Sequence, residues 1–178
     1  MMKQIGNRVI IIGSPGSGKS TFAKKLSEIL ALPLIHLDKE YWNFGWIETP
    51  KEKWIEMQEE FIKMDKWIID GNYGSTIDIR LRRADTIVCF CLPRTLCLFR
   101  AFKRYLINLN KVREDMAEGC KENFDLEFVK YIWDFPKNYG EKNIKLINEN
   151  KDKKILIFKK RNEANDFIRE ILNYESNL

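Results

Sequence analysis

Residues 13–20 read Gly-Ser-Pro-Gly-Ser-Gly-Lys-Ser. This run satisfies the pattern GxxxxGK[ST] at every position, and the chemistry it suits is capture of a polyphosphate. Glycines let the main chain turn sharply and approach a ligand with no Cβ in the way. The freed N–H groups then converge on anionic oxygens at a helix N-terminus, whose dipole favours negative charge. Lys19 supplies a mobile positive charge for the β and γ phosphates, and the Ser20 hydroxyl is a ligand for Mg²⁺. The expected ligand is a nucleoside triphosphate, ATP before GTP, held with Mg²⁺ by Gly13, Ser14, Pro15, Gly16, Ser17, Gly18, Lys19, Ser20 and Thr21.

Two carboxylates stand where strands are expected to end, and the carboxyl ends of parallel strands form the ligand crevice of an open α/β sheet. Asp38 follows the apolar run 33–37, and Asp70 follows 67–69. Either can hold Mg²⁺ through water together with Ser20, and Asp38 can also accept a proton or hydrogen bond from a substrate hydroxyl. Each also suits a simple turn cap. His36 is expected to be packed and not catalytic. Tyr41, Trp42, Phe44 and Trp46 form either a satellite core or a wall on which a flat ring or sugar stacks.

The elements that must position these groups alternate from end to end, as in a parallel sheet with crossover helices. Strands are expected at 8–12, 33–37, 67–69, 86–92 and 154–158, and helices at 19–30, 50–64, 94–109, 126–148 with a break at Pro136, and 163–174. Residues 79–83 suggest a short helical turn, and 40–50 an aromatic loop. Thr49 is expected to cap the helix that follows it, with Pro50 at the first helical position. Polar, poorly periodic residues 110–123 read as a mobile loop. The fold class is thus a three-layer αβα phosphate-loop architecture on a five-stranded parallel sheet. Residues 1–178 are expected to form one domain, without repeats or linkers.

Composition narrows the function classes. With 44% hydrophobic and 32% charged residues in 178, the chain is a globular protein and not a disordered one. No apolar run approaches the roughly 20 residues a membrane span requires. The initial apolar run passes directly into the glycine loop, so it reads as a core strand and not a secretory signal, with a cytoplasmic location expected. A net charge of +5 suits handling of phosphorylated compounds and, equally, loose contact with nucleic acid. Four cysteines and one histidine give no paired zinc spacing, and buried free thiols are expected. The state in solution is expected to be a monomer or weak homodimer.

Taken together, GSPGSGKST (13–21), IHLD (35–38), YWNFGWIETP (41–50), WIIDGNY (67–73), LRRADTIV (81–88), LPR (92–94), DMAEGC (115–120) and FDLEF (124–128) resemble the adenylate-kinase-like P-loop kinases. Within them the chain is similar to the DNA topology modulation proteins, over nearly its whole length. The resemblance implies nucleoside- or nucleotide-kinase architecture, a lid over ATP at about 110–123, and an acceptor-side insert at about 39–65. It also implies that Arg100 and Arg104, on one helix face at i, i+4 spacing, clamp the transferring phosphoryl group. Arg113 would act from the lid, and Arg80 and Arg83 would face the acceptor. Adenylate kinases read DGFPR where this chain has Asp70-Gly71-Asn72-Tyr73-Gly74, so the arginine for an acceptor phosphate is missing from that spot; the acceptor stays an unidentified small molecule, with a hydroxyl-bearing one among the candidates. The expected function is transfer of the γ-phosphoryl group of Mg·ATP, with Lys19, Asp38, Asp70, Arg100 and Arg104 as catalytic residues. The alternative is an ATP-responsive DNA-topology or regulatory protein that binds nucleic acid or a protein partner.

Overall fold

A computed structural model describes residues 5–175; the first residues of the expected strand-and-signal reading and both ends of the 1–178 span lie outside them. The chain starts with β1 (Arg8–Gly13), a β-branched run buried on both faces, as a central parallel strand must be. The glycine loop leads into α1 (Lys19–Leu30), then β2 (Leu34–His36). A short helix α2 (Leu37–Tyr41) and a hairpin of β3 (Trp42–Asn43) and β4 (Ile47–Glu48) follow. Next come α3 (Lys51–Phe61), β5 (Trp67–Asp70), a 3₁₀ turn, α4 (Ile77–Leu81), β6 (Thr86–Phe90) and α5 (Arg94–Ile107). Helix α6 (Leu126–Phe135) passes through a π-helical turn at Pro136–Gly140 into α7 (Glu141–Glu149), and β7 (Lys154–Phe158) and α8 (Arg161–Glu175) close the fold.

The five long strands form one parallel sheet in the order β2-β5-β1-β6-β7, as the alternation of patterns implies. Alternate residues of β1 serve two cores. Val9 and Ile11 pack with Phe22, Leu26, Ala101, Ile132 and Ile168, whereas Ile10 and Ile12 pack with Leu37, Trp54, Trp67 and Ile147. Helices α1, α5, α6 and α8 therefore cover one face and α3 and α7 the other, which gives the three layers.

Several local expectations are corrected. Strand β2 stops at His36, and Asp38 sits on α2 instead of in a loop, because Leu37 is pulled into the core at 0% exposure. The aromatic loop contains a hairpin, turned at Gly45 and Trp46 with positive φ of 74° and 66°. Thr49 does not cap α3: its hydroxyl and amide both donate to the Tyr41 carbonyl, and Pro50 takes the cap position. Residues 110–123 form turns and coil, as expected of a loop, and within them Met116, Ala117 and Cys120 are buried against Trp42. Of the four free thiols Cys89, Cys97 and Cys120 are buried, but Cys91, one residue past β6, is exposed. No helix among the described residues is long and apolar enough to cross a membrane.

Candidate functional site

The glycine loop lies at the carboxyl edge of the sheet, between the end of β1 and the start of α1. Helix α1 begins at Gly18, whose φ of 98° is left-handed, and no side chain caps it. Its first helical hydrogen bond is Phe22 N–H to Gly18 O, so the amides of Lys19, Ser20 and Thr21 precede the ladder. No acidic residue occupies the first turn. A helix start with open donors and no competing carboxylate is a ready anion site. Phe22 anchors the helix against the sheet ends through edge contacts to Phe90 and Phe158, with ring centroids 5.4 Å away in both cases.

Close packing fixes the loop's path. A Cβ at Gly16 would meet the Cys97 carbonyl oxygen at 2.2 Å, so α5 can press directly onto the loop. Arg100, on the same helix, donates from Nη1 to Ser17 O at 2.8 Å and lies over Gly18. At Gly13, with φ 139°, an added Cβ would lie 2.4 Å from Phe90 O. That oxygen belongs to the neighbouring strand and cannot yield cheaply. Gly13→Ala is accordingly expected to destabilise the fold by more than about 2 kcal/mol, through strain plus overpacking. Thermal unfolding of the variant checks it, and an unchanged midpoint would contradict the geometry.

The loop's lysine is turned inward, donating from Nζ to Ser14 O at 3.0 Å. Crowding by protein lowers its pKa from the usual lysine range, while the charges of Asp70 and Asp38 act in the opposite direction. The same balance contains an opposing contribution from Arg104. Lys19, both expected carboxylates and one of the expected arginines thus share a single electrostatic neighbourhood, as their types suggest.

The two carboxylates differ. Asp70 is 5% exposed; its Oδ2 accepts from His36 Nδ1 at 3.1 Å, and its Oδ1 is buried without a hydrogen-bond partner. A buried charged oxygen left open is costly unless a cation or water meets it. Asp38 is exposed by area, yet the surrounding protein raises the pKa of its carboxyl, opposed by a 2.9 Å hydrogen bond from Tyr73 Oη to Oδ1. His36 is therefore not merely packed but orients Asp70.

Asn72 and Tyr73 have roles that the sequence does not announce. The Gly13 amide donates to Asn72 Oδ1, and Asn72 Nδ2 donates back to Gly13 O, both at 3.0 Å. Tyr73 is held at φ 38°, uncommon for a non-glycine residue, and its ring packs on Tyr41 and Trp54 at 4.8 and 5.1 Å. Arg80, expected to face an acceptor, is instead fully buried: Nη1 donates to Gly71 O, and Nη2 to Asn72 O and Tyr73 O, at 3.0, 2.7 and 3.2 Å. Arg83 also turns away, to the carbonyls of Ile62 and Lys63. Of the aromatic group, Tyr41 packs against the core on the Ile10 and Ile12 face of the sheet, Trp42 lies under segment 110–123, and Phe44 and Trp46 remain 72% and 42% exposed.

With this geometry, similarity to solved structures is informative. A shikimate kinase from Acinetobacter baumannii, solved in complex with shikimate, superposes with a TM-score of 0.58 at 17% identity, covering 96% of this chain and 93% of that one. The fold is that of the P-loop kinases. A shikimate kinase from Bacteroides thetaiotaomicron matches with TM-score 0.55 and 16% identity over 95% of this chain and 98% of that one. A gluconokinase from Sinorhizobium meliloti 1021 matches with TM-score 0.52 and 12% identity over 98% and 94%. In sequence, an adenylate kinase of Thermosipho africanus (strain TCF52B) is 28% identical over 127 residues, 70% of this chain. The chain spans about half the length of that relative, 52%. No family model matches the sequence.

Proposed function

We propose that this chain is a Mg·ATP-dependent phosphotransferase that moves the γ-phosphoryl group to a hydroxyl of a small molecule, of the kind that resembles the DNA topology modulation proteins in sequence. The observation that carries the reading is the meeting, at one sheet edge, of an uncapped glycine-loop helix with Lys19, Asp38, Asp70 and Arg104. The P-loop kinase fold supports it, and favours it over the DNA-binding alternative. The open Asp70 Oδ1 fits a cation, so Ser20 and Asp70, directly or through water, are the residues that would hold Mg²⁺. The chemistry a Mg²⁺ held there would supply is neutralisation of charge on the β and γ phosphates.

The chain's own groups account for the remaining chemistry. The open amides of the glycine loop and of the first turn of α1 hold the phosphates, Lys19 bridges them, and Arg100 braces Ser17 while Arg104 faces the transferring group. Asp38 keeps Oδ1 on Tyr73 and offers Oδ2 to the acceptor hydroxyl. As the acceptor oxygen bonds to phosphorus, the bond to the β-phosphate bridging oxygen breaks, ADP leaves, and the hydroxyl proton passes to Asp38. Segment 110–123 acts as the lid, and the insert at about 39–65 as the acceptor side. Because burial raises the Asp38 pKa, turnover is expected to fall with acidification already above the ordinary carboxylate range.

The test follows ADP release from Mg·ATP in the presence of candidate acceptors: polyhydroxylated acids such as the shikimate of the solved neighbour, sugars, nucleosides, aminoglycosides and nucleoside monophosphates. Release stimulated by a hydroxylated acceptor is the expected result. Stimulation by nucleoside monophosphates alone would overturn the acceptor class. Absence of any heat on titrating Mg·ATP would overturn the reading itself.

A further inference from the structure

Glu122 is the most enclosed carboxylate of the lid segment, its side chain 4% exposed, and it is shared by two arginines from different elements. Arg104, on α5, donates from Nε to Oε1 at 2.6 Å. Arg113, in segment 110–123, sets its Nε 2.7 Å from Oε2 and donates from Nη1 to Asp115 Oδ2 at 2.9 Å. Both arginines thus meet Glu122 through Nε, Arg104 by a hydrogen bond and Arg113 by an ion-pair contact. The two Nη groups of Arg104 and Nη2 of Arg113 make no hydrogen bond among the described residues.

The charges of the pair reach opposite sides of the site. That of Arg104 is felt at Lys19 on the donor loop, and that of Arg113 at Asp38 on the acceptor side. The two guanidinium groups repel: burial, and after it the charge of Arg113, lowers the pKa of Arg104. A single carboxylate placed between two like charges offsets that repulsion: its hydrogen bond at Arg104 Nε fixes that plane, and its ion pair holds Arg113, whose Nη1 is fixed by Asp115. Glu122 does this at almost no exposure, where the pairing is least screened.

We propose that Glu122 is a positioning residue: it locks Arg104 and Arg113 into one fork spanning donor and acceptor, with their free Nη groups presented to the γ-phosphoryl group as it transfers. The inference rests on the phosphotransferase reading above. It assigns Glu122 a role in the rate of transfer, not in capture of the nucleotide, because neither the loop amides nor Lys19 touch it.

The experiment is a double-mutant cycle on the full chain with Glu122→Gln and Arg104→Ala, reading kcat, KM for Mg·ATP, and the calorimetric affinity for Mg·ADP. Glu122→Gln keeps the shape and removes the charge. It is expected to lower kcat by about 10- to 100-fold, the usual effect of an outer partner that orients a working group. KM for Mg·ATP and the affinity for Mg·ADP should stay within about threefold of the parent. In the Arg104→Ala background the same change should cost clearly less than in the parent, because one of the two groups it orients is gone, and with Arg113→Ala added it should cost less than about threefold. Glu122→Asp, one methylene shorter, should retain only one arginine contact and fall between. Should Glu122→Gln fold poorly, seen as lost Mg·ADP binding, Glu122→Asp and Arg113→Lys complete the comparison. Equal costs of Glu122→Gln in both backgrounds, or an unchanged kcat, would overturn the inference while leaving the phosphotransferase reading standing. A parent protein that neither binds nor turns over Mg·ATP would remove that reading, and this inference with it.

Discussion

Lys19→Ala is expected to cut phosphoryl transfer by about 10²- to 10³-fold or more, the cost of deleting one preorganised charge from a transition state. The fold should survive it. Lys19 is crowded by protein, and its lowered pKa means that the folded state disfavours its charge. Below the folded pKa that penalty is fully present, and it fades as pH rises toward the ordinary lysine value of 10.5. Removing the side chain removes the penalty, so the unfolding midpoint at neutral pH should be unchanged or slightly higher. Phosphate oxygens pull the other way, favouring the protonated amine. Mg·ATP affinity should therefore be flat below the free protein's Lys19 pKa and decline above it, at a lower pH than an unperturbed lysine would give. Calorimetry across alkaline pH in buffers of differing ionisation heat would reveal the coupled proton uptake. A Lys19→Ala protein with full turnover would exclude the mechanism.

Replacement of Arg80 by alanine should produce the largest loss of stability, on the order of 3–5 kcal/mol, as expected when a fully enclosed charged partner is taken away. Three carbonyls, those of Gly71, Asn72 and Tyr73, depend on its guanidinium. Burial pushes its pKa down to about 9, still above neutrality, so the group remains charged and held by those dipoles. Left without it, each enclosed carbonyl costs about 1–3 kcal/mol. At roughly 2–4 °C per kcal/mol for a chain of this size, the midpoint should drop by about 10 °C. Arg80→Lys should not rescue it, because one ammonium cannot reproduce the flat two-armed fork. Urea unfolding measures this, and a loss below about 1 kcal/mol would show that the loop is supported otherwise.

The parallel sheet and its two covering layers are legible from hydrophobic runs alone, since β1, β5 and β6 are continuously apolar and separated by helix-length amphipathic stretches. The phosphate loop is legible because its chemistry is local: eight consecutive residues carry it. What is not legible depends on distant partners. Arg80 and Arg83 look alike in sequence as exposed basic residues, and only tertiary packing sends one beneath the Asp70 loop and the other to the end of α3. Thr49 has the side chain of a cap but is captured by the Tyr41 carbonyl across the hairpin. The seating of 110–123 escapes a reading by periodicity because Met116, Ala117 and Cys120 are buried in turns, which have no period. Glu122 could be found only by knowing that Arg104 and Arg113 meet.

The paired bonds of Asn72 to Gly13 N–H and C=O reproduce, with a side chain, the two-way exchange of a strand ladder just past the point where pairing of β1 with β5 ends. The glycine loop is thereby fastened to Asn72, whose chain neighbour Tyr73 holds Asp38. Relative motion between the two reactants cannot come from the sheet. On the proposed function, opening and closing would fall to residues 110–123, so hydrogen exchange at Gly13 is expected to stay slow while that of residues 110–123 changes on addition of Mg·ATP.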